Sequence, residues 1–274
     1  MRRATLLAVI IIGAGLAIYY AQSVLRQPQA ITISAATATP MAGRDGVLHV
    51  YLSMENGAEP NRLLSVSSAE AADAAFRGAV TGDLVLPADS TPSLSSDGVF
   101  IELTGVEGAL EEGRLIPIAL ELAPAGTATT RALIGAPVDP HSMHAMATEQ
   151  EAAEQGAGSQ DHDMAGMNHD GDTMAPTLSM QVIQGDAGDW IVSVETTHFS
   201  FAPEVEEPVH VPGEGHGHLY LNGLKLQRVY SETTVIGALP LGQYTVEVTL
   251  NTNAHQPYEN EAGPVTAQAV IEVE

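Results

Sequence analysis

An all-β fold, built as two small antiparallel β-sandwiches, is the architecture this sequence predicts. Three observations carry it. Short runs of mixed or alternating apolar and polar residues recur through 31–135 and again through 181–274. Gly, Pro and Asn punctuate these runs at close spacing, as in sandwiches and barrels. Between them, 141–180 holds no aromatic residue and a single Leu, too little to bury a core. The expected organisation is therefore 1–30 as an apolar N-terminal segment, 31–135 as a first sandwich, 136–180 as a flexible linker and 181–274 as a second sandwich.

The bulk numbers exclude several function classes. The chain has 274 residues, Lys+Arg 10, Asp+Glu 34 and formal net charge −24. Such an acidic surface does not neutralise phosphates, so nucleic acid is not an expected partner, whereas cations are attracted at long range. Cysteine is absent, which removes disulfides, thiolate ligands, Cys nucleophiles and the His₂Cys type of copper site. No nucleophile elbow, P-loop, dinucleotide fingerprint or HExxH pattern occurs, and the many carboxylates show no acid/base pairing by spacing. The chain is not expected to be an enzyme.

Residues 1–30 begin Met1-Arg2-Arg3 and continue ATLLAVIIIGAGLAIYYAQ without a charge. That run is long for a signal-peptide core and near the lower limit for a spanning helix. The Arg pair would stay inside, and Tyr19 and Tyr20 would sit at the outer interface. This predicts an uncleaved anchor in the inner membrane with the bulk of the chain in the periplasm, or a cleaved signal and a periplasmic protein.

In the first module, 47–54 mixes apolar and polar residues and ends at the turn pair Asn56-Gly57. Residues 62–66, 84–87, 99–106, 115–122 (across Pro117) and 128–134 complete the strand set. The Ala-rich stretch SSAEAADAAFRG reads either as a helical turn or as an edge strand. The residues VYLSMENGAEPNRLLSVSS, then LVLPADSTPSLSSDGVFIELTGVEGALEEGRLIPIALEL, resemble the PCu(A)C-type periplasmic copper chaperones over roughly 100 residues. The resemblance implies a cupredoxin-like sandwich. It places the family's His-x-Met pair at Phe100 and Glu102 and its first His near Phe76, so none of the family's copper ligands carries over to this module. His49, Met41 and Met54 are the soft groups left there; His49 reads as a structural or surface residue and Met54 as core.

The linker is unlike an ordinary solvated spacer. It holds four of the ten His and six of the nine Met in the chain. One group is His141, Met143, His144 and Met146. A second is His162, Met164, Met167 and His169 among Asp161, Asp163 and Asp170; Met174 and Met180 follow. Met belongs in cores, not in solvated linkers. Thioether and imidazole together suit copper, while the Asp residues would favour Cu(II) or Zn(II) over Cu(I). Binding that must also order the chain is weak and fast-exchanging, which suits capture and transfer.

In the second module, 190–195 alternates, Phe199-Ser200-Phe201-Ala202-Pro203 follows, and Asn222-Gly223 between two strand-like runs signals a hairpin. QYTVEVTL and 266–273 complete the set. His216 and His218 are two apart, so they share one face of a strand. If the loops gather at one end, His255 would join them, with His198 or His210 as a fourth donor. Phe-x-Phe-Ala-Pro-Glu, Val-Pro-Gly-Glu-Gly-His-x-His-Leu-Tyr-x-Asn-Gly and Leu-Asn-x-Asn-x-His together resemble a bacterial extracytoplasmic domain that accompanies copper-related modules.

The functional expectation is an extracytoplasmic copper-binding protein, a chaperone or scavenger carrying Cu(I) or Cu(II). By family resemblance its recipient would be a membrane or periplasmic cuproprotein such as cytochrome oxidase. The alternatives are a two-domain adaptor that binds another protein, with the linker as spacer, and a Zn or Ni buffer.

Overall fold

The computed structural model describes residues 31–135, 175–203 and 211–274. The expectations for 1–30, for His210, and for His141, Met143, His144, Met146, His162, Met164, Met167 and His169 fall outside these residues. The described part is all-β, with no helix.

The first half runs β1 (Thr32–Pro40), β2 (Leu48–Glu55), β3 (Asn61–Ser67), β4 (Asp73–Gly78), β5 (Leu84–Leu86), β6 (Ser93–Leu94), β7 (Val99–Thr104), β8 (Leu115–Ala123) and β9 (Gly126–Ile134). Period-2 alternation decides which face each strand buries. In β7, Val99, Ile101 and Leu103 point inward and are fully buried, while Phe100, Glu102 and Thr104 do not. Each such side chain contributes about 1.5–3 kcal/mol by leaving water. Leu48, Val50, Leu52 and Met54 of β2 meet them, with Ile116, Ile118 and Leu120 of β8 closing the core. Pro117 is tolerated because it lies past Ala119, the last β8 residue paired with β3.

Of the two readings of the Ala-rich stretch the edge strand holds, and one further strand was not expected. The Ala-rich stretch is a strand: β4 pairs along its whole length with β7, so tertiary pairing overrides the helical propensity of alanine. Residues 32–40, which carry no strong strand signal, form β1 by pairing antiparallel with β2 and parallel with the end of β9.

The second half runs β10 (Thr177–Gln184), β11 (Trp190–Thr197), β12 (Ser200–Phe201), β13 (Glu214–Leu221), β14 (Leu224–Val229), β15 (Thr233–Ile236), β16 (Gly242–Thr252), β17 (Glu259–Asn260), β18 (Gly263–Pro264) and β19 (Thr266–Val273). β10, β11 and β15 form one sheet; β19, β16, β13 and β14 lie side by side in another. Trp190, Val192 and Val194 pack against Leu219, Leu221, Val246 and Val248 between them. β10 starts four residues before the boundary expected at 181, and Met180 packs against this core, so it is not a ligand of the linker.

The two halves are in close contact. A single pairing, Lys225 with Ser93, joins β14 to β6 and makes the pairing continuous from β19 to β5. The tip of the β13–β14 hairpin is one point of docking. Asn222 adopts a left-handed φ of 49° and Gly223 one of 85°, the turn conformation that the Asn-Gly pair predicts. Asn222 Nδ2 donates to the Asp83 carbonyl at 2.8 Å, and the Gly223 carbonyl accepts from Val99 N at 3.1 Å. A Cβ at Gly223 would stand 1.9 Å from the Ala79 carbonyl oxygen, so only glycine fits there.

Candidate metal centre

β13 has two unlike faces. Leu219 and Leu221 enter the second core, whereas His216, His218 and Tyr220 alternate onto the other face. On that face the neighbours across the ladder are Asn251 and Thr249 of β16, opposite His216 and His218, and Arg228 of β14, also opposite His218. Both histidines are buried, at 3% and 1% exposure, which is unusual for imidazoles unless they have a task or a partner.

His255 arrives from the turn after β16. Thr252 holds that turn: its carbonyl accepts from His255 N at 3.0 Å and its amide donates to the Gln256 carbonyl at 2.8 Å. His255 takes a left-handed φ of 60°. Asn251 Nδ2 donates to the His255 carbonyl at 3.4 Å. Gly215 lets the end of β16 approach, since a Cβ there would lie 1.9 Å from the Asn251 carbonyl oxygen.

The result is a convergence of three nitrogens. His216 Nε2 lies 3.0 Å from His218 Nε2 and 3.1 Å from His255 Nδ1. One ligand atom from each residue lies within 4.8 Å of the others, the one such group of His, Asp and Glu among the described residues. Donors in a tetrahedral site with metal–nitrogen bonds of about 2.0–2.1 Å stand about 3.3 Å apart, so the spacing needs little adjustment to accept an ion.

The other ring nitrogen of His218 is fixed from the first half of the chain. Its Nδ1 lies 2.8 Å from Asp97 Oδ2, in the turn between β6 and β7. The Tyr220 hydroxyl donates to the same oxygen at 2.9 Å, and Lys225 Nζ donates to it at 2.7 Å. With Nδ1–H given to the carboxylate, Nε2 presents its lone pair to the other two imidazoles, the arrangement by which outer-shell carboxylates orient metal-ligating histidines. Asp97 is thus a positioning residue. Burial would raise its pKa, but the His218 hydrogen bond and the Lys225 charge prevail and hold it far below the usual carboxylate range.

The imidazoles are held neutral, the form a metal requires. Burial lowers the His216 pKa to about 2, with the nearby His218 and His255 adding to it. Burial lowers that of His255 to about 4, helped by the positive charge of Arg228. Burial also lowers that of His218, against the opposing hydrogen bond to Asp97. Beside the triad, Asn251 Oδ1 is buried and has no hydrogen-bond partner among the described residues. It offers an acceptor for a further ligand or a bound water.

His216, His218 and His255 are thus brought together. His198 is exposed, has a left-handed φ of 56° and stands apart from the group. In the first half, the positions that the resemblance gives to copper ligands hold other chemistry. His49 is buried, packs against Phe100 with ring centroids 4.4 Å apart and lies 3.3 Å from Glu102. Arg44 pairs with Glu102 at 2.7 Å and Arg77 at 3.5 Å. Phe76 packs against the core, and Met54 lies within it. Sequence reasoning missed Asp97, Lys225 and Asn251. For Asn251 a signal existed, since its place in Leu-Asn-x-Asn-x-His puts it four residues before His255.

No family model matches this chain, and no curated protein matches it. Among solved structures, it is similar to the apo PCuAC domain from PmoF1, with 22% identity over 39% of this chain and 94% of that one, at a TM-score of 0.36. It is similar to the copper-bound PCuAC domain from PmoF2, with 24% identity over 39% of this chain and 93% of that one, at a TM-score of 0.35. A third similarity, at 9% identity and a TM-score of 0.23, covers 88% of this chain and 94% of a fibronectin(III)-like module of Clostridium thermocellum CbhA.

Proposed function

We propose that this protein binds copper at His216, His218 and His255 and serves as an extracytoplasmic copper carrier. The observation that carries the reading is the convergence of three neutral imidazole nitrogens, two buried and one half-buried, with one of them oriented by Asp97. Imidazole accepts copper and zinc alike. The five Met between 141 and 174 favour copper, because a thioether is a soft donor that zinc does not seek. In this reading the Met/His tract captures the ion and the triad holds it. The apolar N-terminal segment keeps the protein at the periplasmic side of the inner membrane, and the ion passes to a cuproprotein such as cytochrome oxidase. The triad binds a cargo and performs no chemistry on it.

The test is a Cu(I) titration of the full-length protein against a chromophoric chelator. Two variants run beside it: His216→Ala with His218→Ala, and Ser in place of every Met and His from 141 to 174. The double His variant should lose one tight equivalent. The Ser variant should keep that equivalent and lose the weaker, faster ones. Unchanged copper binding in the double His variant would sink the reading of the triad.

A further inference from the structure

The charge set around the triad opposes a divalent ion. The three converging donors are neutral, and no carboxylate oxygen is among them. Lys225 Nζ stands 3.4 Å from His218 Nε2, the nitrogen that would face the ion. With a metal–nitrogen bond of about 2.0–2.1 Å, that ammonium is at most about 5.5 Å from the bound ion. Its side chain is only 12% exposed, and its ion pair with Asp97 at 2.7 Å holds it in place. Asp97 compensates from the other edge of the His218 ring, so the cation lies on the ion's side of the pair. Arg228, opposite His218 in β14, adds a second basic residue to the same face.

We propose that Lys225 makes this centre selective for a monovalent ion, Cu(I), over divalent Zn(II) and Cu(II). The proposal rests on the reading of the triad as a metal centre. Each additional unit of ion charge meets the same ammonium once more. At about 5.5 Å and an effective dielectric constant of about 20, this amounts to about a hundredfold in affinity per unit of charge. Three neutral imidazoles supply a sufficient set for Cu(I), which makes no strong geometric demand. The converging donors give a divalent ion no anionic ligand against the lysine.

The experiment compares full-length wild type, Lys225→Met and Lys225→Arg. Cu(I) affinity is measured anaerobically and Zn(II) affinity separately, each by chelator competition. The triad's equivalent is defined as the one lost in His216→Ala. The expected result is that Lys225→Met raises Zn(II) affinity about a hundredfold more than Cu(I) affinity, while Lys225→Arg keeps the wild-type ratio. If Lys225→Met moves both affinities by the same factor, or if Lys225→Arg shifts the ratio as much as Lys225→Met, charge selection by Lys225 is wrong. In either case the triad would remain a metal centre. If His216→Ala binds both ions as wild type does, the metal reading itself fails and takes the proposal with it. Should Lys225→Met not fold, Lys225→Gln, which can still donate to Asp97, is judged by the same ratio.

Discussion

Replacing Asp97 with Asn separates orientation from shape. The amide fills the space of the carboxylate and can still accept from His218 Nδ1, now 2.8 Å from the carboxylate oxygen. It removes the charge that polarises the ring and balances Lys225 at 2.7 Å. Loss of an outer-shell carboxylate of this kind lowers metal affinity about 10–100-fold. That corresponds to about 1.4–2.8 kcal/mol. The uncompensated Lys225 pushes the result toward the upper end. A stability loss accompanies it. Breaking a fully buried pair costs about 3–5 kcal/mol, and Asp97 is 36% exposed at its side chain, so about 1–2 kcal/mol is expected. Chelator competition with Cu(I) measures the first quantity and denaturant unfolding of the metal-free protein the second. A Cu(I) affinity within twofold of wild type, with the stability loss present, would refute the orienting role and leave Asp97 as a docking contact between the halves.

Three further outcomes are expected. His255→Ala should weaken Cu(I) binding at least tenfold, whereas His198→Ala, at an exposed residue outside the triad, should leave it unchanged in the same titration. The metal-free protein should lose stability in acid. Unfolded histidine takes up protons near its ordinary 6.5, but folded His255 does so only near 4 and His216 near 2, so protons favour the unfolded chain. Stability should therefore be full above about pH 6.5 and fall as the pH drops toward 4, with thermal melts from pH 7.5 to 4.5 as the measurement. Gly223→Ala should destabilise the fold by about 2 kcal/mol or more, from the left-handed φ plus the collision with the Ala79 carbonyl, as read by denaturant unfolding.

Much of the centre was legible because it follows local rules. The His216–His218 spacing places both rings on one strand face in any antiparallel sheet, and Asn222-Gly223 announces the hairpin whose tip docks on the first half. Joining His255 to them required a guess about where the loops gather, and the register of β13 with β16 supplies that geometry. Asp97 was not legible. In Ser-Ser-Asp-Gly it reads as an ordinary turn aspartate, and its ring partner lies 121 positions along the chain. Lys225 reads as a solvated strand residue until the pairing with Ser93 brings the first half over it. The same reason hid β1 and left β4 open between a helical turn and an edge strand: both are strands because a neighbouring edge accepts them, and no property of their own sequence compels it.

β13 is hydrogen-bonded on both sides, to β14 and to β16, and its apolar face is locked into the second core. His216 and His218 therefore behave as fixed jaws. His255 sits on a half-buried turn outside the ladder, tied to Thr252 by backbone hydrogen bonds, and is the less tightly held of the three. If the triad holds an ion as proposed, this difference would set the order in which its donors let go. The half-buried turn would be the first to give way, leaving the two strand donors on the ion. The strand would meanwhile keep its shape, held by the ladders on both of its edges.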